Sequence, residues 1–360
     1  MSLRVRQDVP LAPLTSLGLG GPARWLAEVG DAAALREALA WADERGLPVQ
    51  VLGGGTNVVF PDAGFRGLVV RVVPDGLSFE EAGGRVRVRA GAGVPWDELV
   101  RTSVERGLTG VECLSGIPGL AGAAPIQNIG AYGQELADTL TSVTCLDRGT
   151  GEVERLPADA CGFGYRTSRF REDEERDRRV VLSLELELRR DVPPRIRYPE
   201  LAASLERSAD LAAMAPAAAV RTVRDHVLAL RRGKSMVLDP DDPDARSAGS
   251  FFLNPVLVPE AFEALVRRHA AEGGSEPVPS FPAADGIKVP AAWLVERAGF
   301  RKGRRHGGVG ISSAHALALV NRDGTTSELL ELAGEIREAV RRRFGIELAV
   351  EPTIVEADPG

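Results

Sequence analysis

The chain has 360 residues, 44% hydrophobic and 26% charged, with a formal net charge of -7. That length exceeds the single-domain mode of about 100–150 residues, so two or three domains with their own cores are expected, and the acidic balance argues against a general nucleic-acid partner. Three scattered cysteines (Cys113, Cys145, Cys161) exclude a disulfide framework, no apolar run reaches the roughly 18 residues of a membrane span, and MSLRVRQDVP lacks a signal-peptide core, so a cytoplasmic protein without membrane insertion is expected.

In chain order, Ala23 to Val29 reads as a strand. Asp31 is placed to N-cap a helix running to about Arg45, with Gly46 at C′. Leu47 to Leu52 is a short strand, and Gly53-Gly54-Gly55-Thr56-Asn57 turns it into another, Val58 to Phe60. Strand, glycine turn and strand differs from the dinucleotide fingerprint, in which G-x-G-x-x-G opens a helix. Leu68 to Val73 and Arg85 to Ala90 are β-rich about a polar turn, and Pro95 is expected as the first residue of a helix ending near Gly107. Cys113 to Leu136 is Gly-rich, aperiodic and apolar, which points to an ordered functional segment rather than disorder. A hairpin follows at Thr141 to Asp147 and Glu152 to Leu156. The mixed-charge run Arg171 to Arg179 reads as a solvated loop, and Val180 to Leu188 as a strand with Leu182, Leu184, Leu186 and Leu188 on one face. Beyond Pro193-Pro194, helices are predicted at 199–207, 216–231, 259–272, 290–298 and 326–344, with strands at 316–320 and 347–350. The predicted class is α+β, with a β-rich first half and a more helical second half.

Several constellations fail. Gly233-Lys234-Ser235 lacks the upstream Gly of a phosphate-binding loop, since Leu228 stands there, and no G-x-S-x-G occurs. His226, His269, His306 and His315 have no metal-ligand spacing, so no metal site is expected. The glycine turn is more promising. Its side-chain-free residues let backbone N–H groups converge on an anion, with Thr56 and Asn57 as further donors, although an awkward strand-to-strand turn would explain it equally well. Gly116-Ile117-Pro118-Gly119 and Gly130-Ala131-Tyr132-Gly133 likewise permit close backbone approach to a large flat ligand. Two such segments together favour a bulky diphosphate cofactor.

These two segments, with Tyr165-Arg166-Thr167-Ser168-Arg169-Phe170, Gly249-Ser250-Phe251-Phe252-Leu253-Asn254-Pro255 and Glu351-Pro352, follow one another from about Thr15 to Glu351. In that order they resemble the UDP-N-acetylenolpyruvoylglucosamine reductase family, in its branch with a substrate-covering tyrosine loop. The resemblance implies a two-domain FAD-binding fold of the vanillyl-alcohol-oxidase (PCMH) type plus a third α+β substrate-binding domain. It divides the chain into 1–73 with 346–360, then 74–240, then 241–345. It implies reduction by NADPH and a place in peptidoglycan synthesis. The implied FAD contacts are Gly53, Gly54, Gly55, Thr56 and Asn57, then Ser115, Gly116, Ile117, Pro118 and Gly119, then Asn128, Ile129, Gly130, Ala131 and Tyr132. No His precedes residue 226, so the FAD is expected to be held non-covalently. Arg166, Ser250 and Glu351 are the implied catalytic residues. Tyr165, Tyr198, Lys234, Asn254 and His315 are the implied substrate contacts, and a monomer is expected. Hydride addition to an enolpyruvyl ether needs a proton donor and stabilisation of an enolic carboxylate, which Ser250 and the pair Arg166 and Glu351 would supply; Glu351 must then be protonated, so a raised pKa is expected. Taken singly, Arg166 would be a surface ion-pair residue, Ser250 a turn or cap and Glu351 a strand end. Rival readings are a flavin-dependent oxidase on the same fold and a non-catalytic flavin- or nucleotide-sugar-binding protein. The Arg171 to Arg179 loop and the basic turn Arg301 to His306 receive no role.

Overall fold

The computed structural model describes residues 3–73, 76–172, 177–207 and 210–356. Residues 173–176 of the mixed-charge run lie outside them.

The first sheet forms from β1 (Val5–Pro10), β2 (Pro22–Val29), β3 (Val49–Leu52) and, beyond the two-residue β4 (Val58–Val59), β5 (Phe65–Val72). Its order is β1-β2-β5-β3, with β2 and β3 both parallel to β5. Parallel neighbours need a crossover, and α1 (Ala32–Asp43) supplies it between β2 and β3. Asp31 caps that helix, accepting from the Ala34 N–H at 2.8 Å. Leu35, Ala38 and Ala42 bury its inner face against Ala27, Leu68 and Val70.

A second, antiparallel sheet runs from β6 (Leu77–Ala82) and β7 (Arg85–Gly91), through the short β8 (Leu108–Thr109), β9 (Gly130–Ala131) and β10 (Gln134–Glu135), to β11 (Leu140–Asp147), β12 (Val153–Pro157) and β13 (Arg179–Arg190). Its order is β12-β11-β13-β7-β6; β9 and β10 pair separately. The alternation in β7 buries Val86, Val88 and Ala90 against Leu184, Leu186 and Leu188 of β13. The stretch read as a polar turn is strand β6. Only Leu77 and Phe79 pack inward against the core and the residues after them are exposed, so the apolar alternation is too short to mark it, and pairing to β7 completes the strand. Pro95 is extended (ψ 129°) and precedes α2 (Trp96–Glu105) rather than entering it; the Trp96 N–H instead reaches the Gly119 carbonyl at 2.9 Å.

Helices α3 (Pro199–Glu206) and α4 (Pro216–Arg232) pack together through Leu201, Leu205, Val223 and Val227. The remaining chain has the three predicted helices and, in addition, short strands that were not read. Strand β14 (Ser247–Ser250) joins β18 (Arg305–His306), β19 (Val309–Ile311) and β20 (Ala318–Asn321) in a four-stranded sheet, while β15 (Val256–Leu257), β16 (Phe281–Ala283) and β17 (Gly286–Lys288) form a three-stranded one. Strands of two to four residues are too short for a two-residue period to emerge. Helices α5 (Pro259–Ala271), α6 (Ala291–Arg297) and α7 (Thr326–Phe344) cover them. Residues 347–350 make only one bridge, Val350 to Phe252, instead of the predicted strand, and β21 (Thr353–Ile354) then pairs with β4. Among the described residues no helix is long and apolar enough to cross a membrane.

The N-terminus of α7 is stitched to the first part of the chain. Asp62 accepts from the Thr326 N–H (2.8 Å), the Ser327 N–H (2.9 Å) and Ser327 Oγ (2.8 Å). Burial opposes ionisation of Asp62, but these donors outweigh it and hold the carboxyl below its ordinary 3.8. Asp62→Ala should therefore cost about 1 kcal/mol in urea or thermal melts. Because the folded-state pKa is depressed, the deficit should be complete at pH 7 and shrink as pH falls through that pKa.

Candidate active site

Between β3 and β4 the glycine turn has no room for side chains at Gly54 and Gly55. Gly55 sits at φ +65°, and a Cβ there would lie 1.9 Å from the Leu14 carbonyl oxygen. A Cβ on Gly54 would come within 2.9 Å of Gly119 Cα, so the two glycine-rich segments meet backbone to backbone. Among the described residues, none accepts from the N–H groups of Gly53, Gly54, Gly55, Thr56 or Asn57. The same holds for Ile117, Gly119 and Leu120. Two facing rows of open amide donors suit a diphosphate.

Other residues of the implied cofactor set are committed to scaffolding. Ser115 is buried and donates to the Glu112 carbonyl at 2.6 Å, while the Gly116 N–H donates to Asp97 Oδ1 at 2.6 Å. Asn128 Nδ2 donates to Glu135 Oε2 (2.8 Å) and the Gly164 carbonyl (3.1 Å), and its Oδ1 accepts from the Ala137 N–H at 3.0 Å. Ile129 is buried, and Gly130 and Ala131 form β9. Pro118 offers its carbonyl to Thr56 Oγ1 at 3.4 Å.

The three implied catalytic residues come from distant parts of the chain. Arg166, at φ +53°, donates through Nη2 to the Gly130 carbonyl at 2.5 Å and lies with Nε 3.6 Å from Glu351 Oε1. The Glu351 N–H donates to the Phe251 carbonyl at 3.0 Å, which sets Glu351 beside the end of β14, where Ser250 follows Gly249 at φ +73°. The half-buried Ser250 hydroxyl has no partner among the described residues. Burial pushes the Glu351 carboxyl above its ordinary range, although the Arg166 and Arg171 guanidiniums oppose the shift. That side chain keeps 14% of its surface exposed, so its acidic face is reachable.

Asn254 Nδ2 donates to Tyr165 Oη at 3.1 Å, and Lys288 Nζ lies 4.6 Å above the Tyr165 ring. A second cluster gathers Tyr198, Tyr132, Lys234 and His315. Tyr198, 39% exposed at the start of α3, meets Tyr132 edge to face at 5.4 Å. Lys234 Nζ donates to Glu200 Oε2 at 2.6 Å and stands 5.7 Å from the Tyr132 ring. His315 Nδ1 accepts from the Leu317 N–H at 3.2 Å; burial, with Lys234 and Lys302 nearby, takes its pKa down to about 4, so its ring is neutral at pH 7. Lys302 belongs to the basic turn that was left without a role, and its charge reaches this cluster.

Arg171 is a residue that the sequence reading missed. The run it opens is not a solvated loop at either end. Arg171 contacts Gln127 and the Glu351 backbone, and Arg179, 8% exposed, pairs with Glu154 and Asp147. No local signal marks it, because it opens a run of mixed charge in an arginine-rich chain.

A family model described as an FAD binding domain matches residues 23–157, and one described as the UDP-N-acetylenolpyruvoylglucosamine reductase C-terminal domain matches residues 241–355. The UDP-N-acetylenolpyruvoylglucosamine reductase of Thermobifida fusca is 49% identical, with 99% of both chains covered. That of Saccharopolyspora erythraea is 47% identical over 96% of this chain and 94% of its own. The crystal structure of the Thermus caldophilus enzyme superposes with a TM-score of 0.66 at 25% identity, covering 99% of this chain and all of the other. The architecture is accordingly an FAD-binding fold of the vanillyl-alcohol-oxidase type joined to a third α+β domain. The chain belongs to the UDP-N-acetylenolpyruvoylglucosamine reductase family.

Proposed function

We propose that this chain is an NADPH- and FAD-dependent reductase converting the enolpyruvyl ether of UDP-N-acetylglucosamine enolpyruvate to UDP-N-acetylmuramate for peptidoglycan synthesis. The observation that carries the reading is the Arg166–Glu351 contact at 3.6 Å beside an open Ser250 hydroxyl, at the edge of a glycine-lined segment. Residues 1–73 with 346–360, and 74–240, form the flavin-binding part, and 241–345 the substrate-binding domain, with Tyr165, Tyr198 and Lys234 of the second segment also reaching the sugar nucleotide. The open N–H groups of Gly53 to Asn57 and of Ile117, Gly119 and Leu120 fit a non-covalently held FAD diphosphate. FAD held there would supply the hydride chemistry between NADPH and C3 of the enolpyruvyl group.

The chain's own residues handle the charge and the proton. Hydride addition at C3 places negative charge on C2 and the adjacent carboxylate, where Arg166 donates hydrogen bonds and a protonated Glu351 donates another. Ser250 then gives its hydroxyl proton to C2. A serine is a weak acid, and the transfer works because the carbanion is strongly basic and water is kept out. Lys234, Asn254 and Tyr198 hold the UDP diphosphate, with Tyr165 and the neutral His315 completing the nucleotide side. The enzyme works as a cytoplasmic monomer without a nucleic-acid partner, and sedimentation of the purified protein tests its oligomeric state.

Anaerobic stopped-flow mixing of the NADPH-reduced enzyme with the UDP-enolpyruvyl sugar should return the oxidised flavin spectrum. Reoxidation only on admitting oxygen would make the chain an oxidase. Ser250→Ala should leave flavin reduction by NADPH intact and slow substrate reduction by about 10²–10⁴-fold; equal loss in both half-reactions would remove its proton-donor role. The rate of substrate reduction should fall as pH rises through the raised pKa of Glu351, and Glu351→Gln, which keeps a neutral donor, should flatten that limb. Lys234→Ala removes one charge-assisted contact, about 1.5–3 kcal/mol, and should raise the substrate KM roughly 10- to 100-fold.

A further inference from the structure

Arg171 has no place in the roles above, yet its guanidinium touches three parts of the site. Nη2 donates to the Glu351 carbonyl oxygen at 2.8 Å; Nη1 donates to Gln127 Oε1 at 3.2 Å and approaches the Arg166 carbonyl at 3.5 Å. The same Gln127 oxygen accepts from Asn57 Nδ2 at 2.9 Å, and the Asn57 carbonyl accepts from the Thr353 N–H at 3.0 Å. These contacts close a ring that runs from the glycine turn through Gln127, Arg171 and Glu351 to Thr353 and back to the turn.

The ring fixes a direction. The Glu351 N–H is held by the Phe251 carbonyl and its own carbonyl by Arg171, so the peptide groups on both sides of its Cα are pinned. With both peptides fixed, the Cα–Cβ bond points one way, toward Arg166. Arg171 itself stands on a braced turn, Arg169–Arg171, in which Ser168 Oγ accepts from the Phe170 N–H at 3.2 Å and donates to the Ile126 carbonyl at 2.7 Å. A planar fork serves two acceptors at once, which an ammonium on a flexible stem does less well.

We propose that Arg171 is a positioning residue for this reaction: by gripping the Glu351 carbonyl and the Gln127 side chain it aims Glu351 at Arg166 and ties that aim to the flavin-binding turn. This rests on the reading of Glu351 and Arg166 as stabilisers of the enolic intermediate, and the experiment separates the two. Arg171→Gln, Arg171→Lys, Glu351→Ala and the double variant Arg171→Gln/Glu351→Ala are purified with flavin bound and followed in both half-reactions. Arg171→Gln should slow substrate reduction roughly 100-fold, the usual cost of a misplaced reacting group, with substrate KM and flavin reduction near wild type. Arg171→Lys should fall between, and the double variant should lose no more than Glu351→Ala alone. The charged or titratable groups facing the Glu351 carboxyl are Arg166, Arg171 and Tyr165. Removing the Arg171 cation should move the high-pH limb upward, whereas Arg171→Lys leaves it in place; a purely structural role would instead impair both half-reactions together. Wild-type rates in Arg171→Gln, or losses that multiply in the double variant, would overturn the positioning role. Wild-type rates in Glu351→Ala would instead overturn the reading beneath it. Where Arg171→Gln does not fold, Arg171→Lys passes through the same cycle and decides by the same non-additivity.

Discussion

One extended segment near the C-terminus sutures the two ends of the molecule. On one side the Leu253 N–H donates to the Ala349 carbonyl and the Glu351 N–H to the Phe251 carbonyl; on the other, the Thr353 and Val355 N–H groups reach Asn57 and Val59. Residues 349–355 thus share hydrogen bonds with Phe251 and Leu253, which follow the strand ending in Ser250, and with Asn57 and Val59 at the end of the glycine turn. Glu351 lies at the crossover. Ser16 joins the same two regions, its hydroxyl donating to the Ser247 carbonyl at 2.6 Å and its N–H to the Gly55 carbonyl at 2.9 Å, and the α7 cap by Asp62 reinforces the junction.

The electrostatics follow from that placement. Two guanidiniums flank Glu351, which would ordinarily stabilise a carboxylate, yet burial wins and the proton is held more tightly than in water. A carboxylic acid and an arginine side by side then offer an O–H and several N–H donors with no carboxylate charge to repel the anion, which is what an enolic carboxylate requires. At the other end, burial and two nearby lysines keep His315 neutral, and Lys234 remains the compact cation beside the tyrosines. On the proposed reading, the site separates a region for developing charge from one for the fixed charge of a diphosphate.

Much of this was legible in the sequence, for reasons that differ by element. The longer helices announced themselves through apolar spacing and end signals: Leu329, Leu332, Ala333, Ile336 and Val340 make one buried stripe in α7, and Thr325 with Glu328 forms its capping box. The glycine turn was legible because close backbone contact has few alternatives to Gly. Strand β6 was not, since only Leu77 and Phe79 pack inward and four of its six residues are exposed. The short strands of the second half carry too few residues for a period. Arg171 was hidden by composition: among 41 arginines, 44 basic residues less three lysines, and within a run of mixed charge, no local pattern distinguishes the one whose fork meets Glu351.

The glycines and the serine are constrained by different physics. A Cβ at Gly55 collides with the Leu14 carbonyl whether or not the protein performs any reaction, so that position is guarded by steric exclusion alone. The Ser250 hydroxyl, with no partner among the described residues, contributes no hydrogen bond to the fold. Selection for folding would preserve the first and be indifferent to the second. Across descendants of this chain, Gly55 would therefore track survival of the architecture, and Ser250 survival of the reaction.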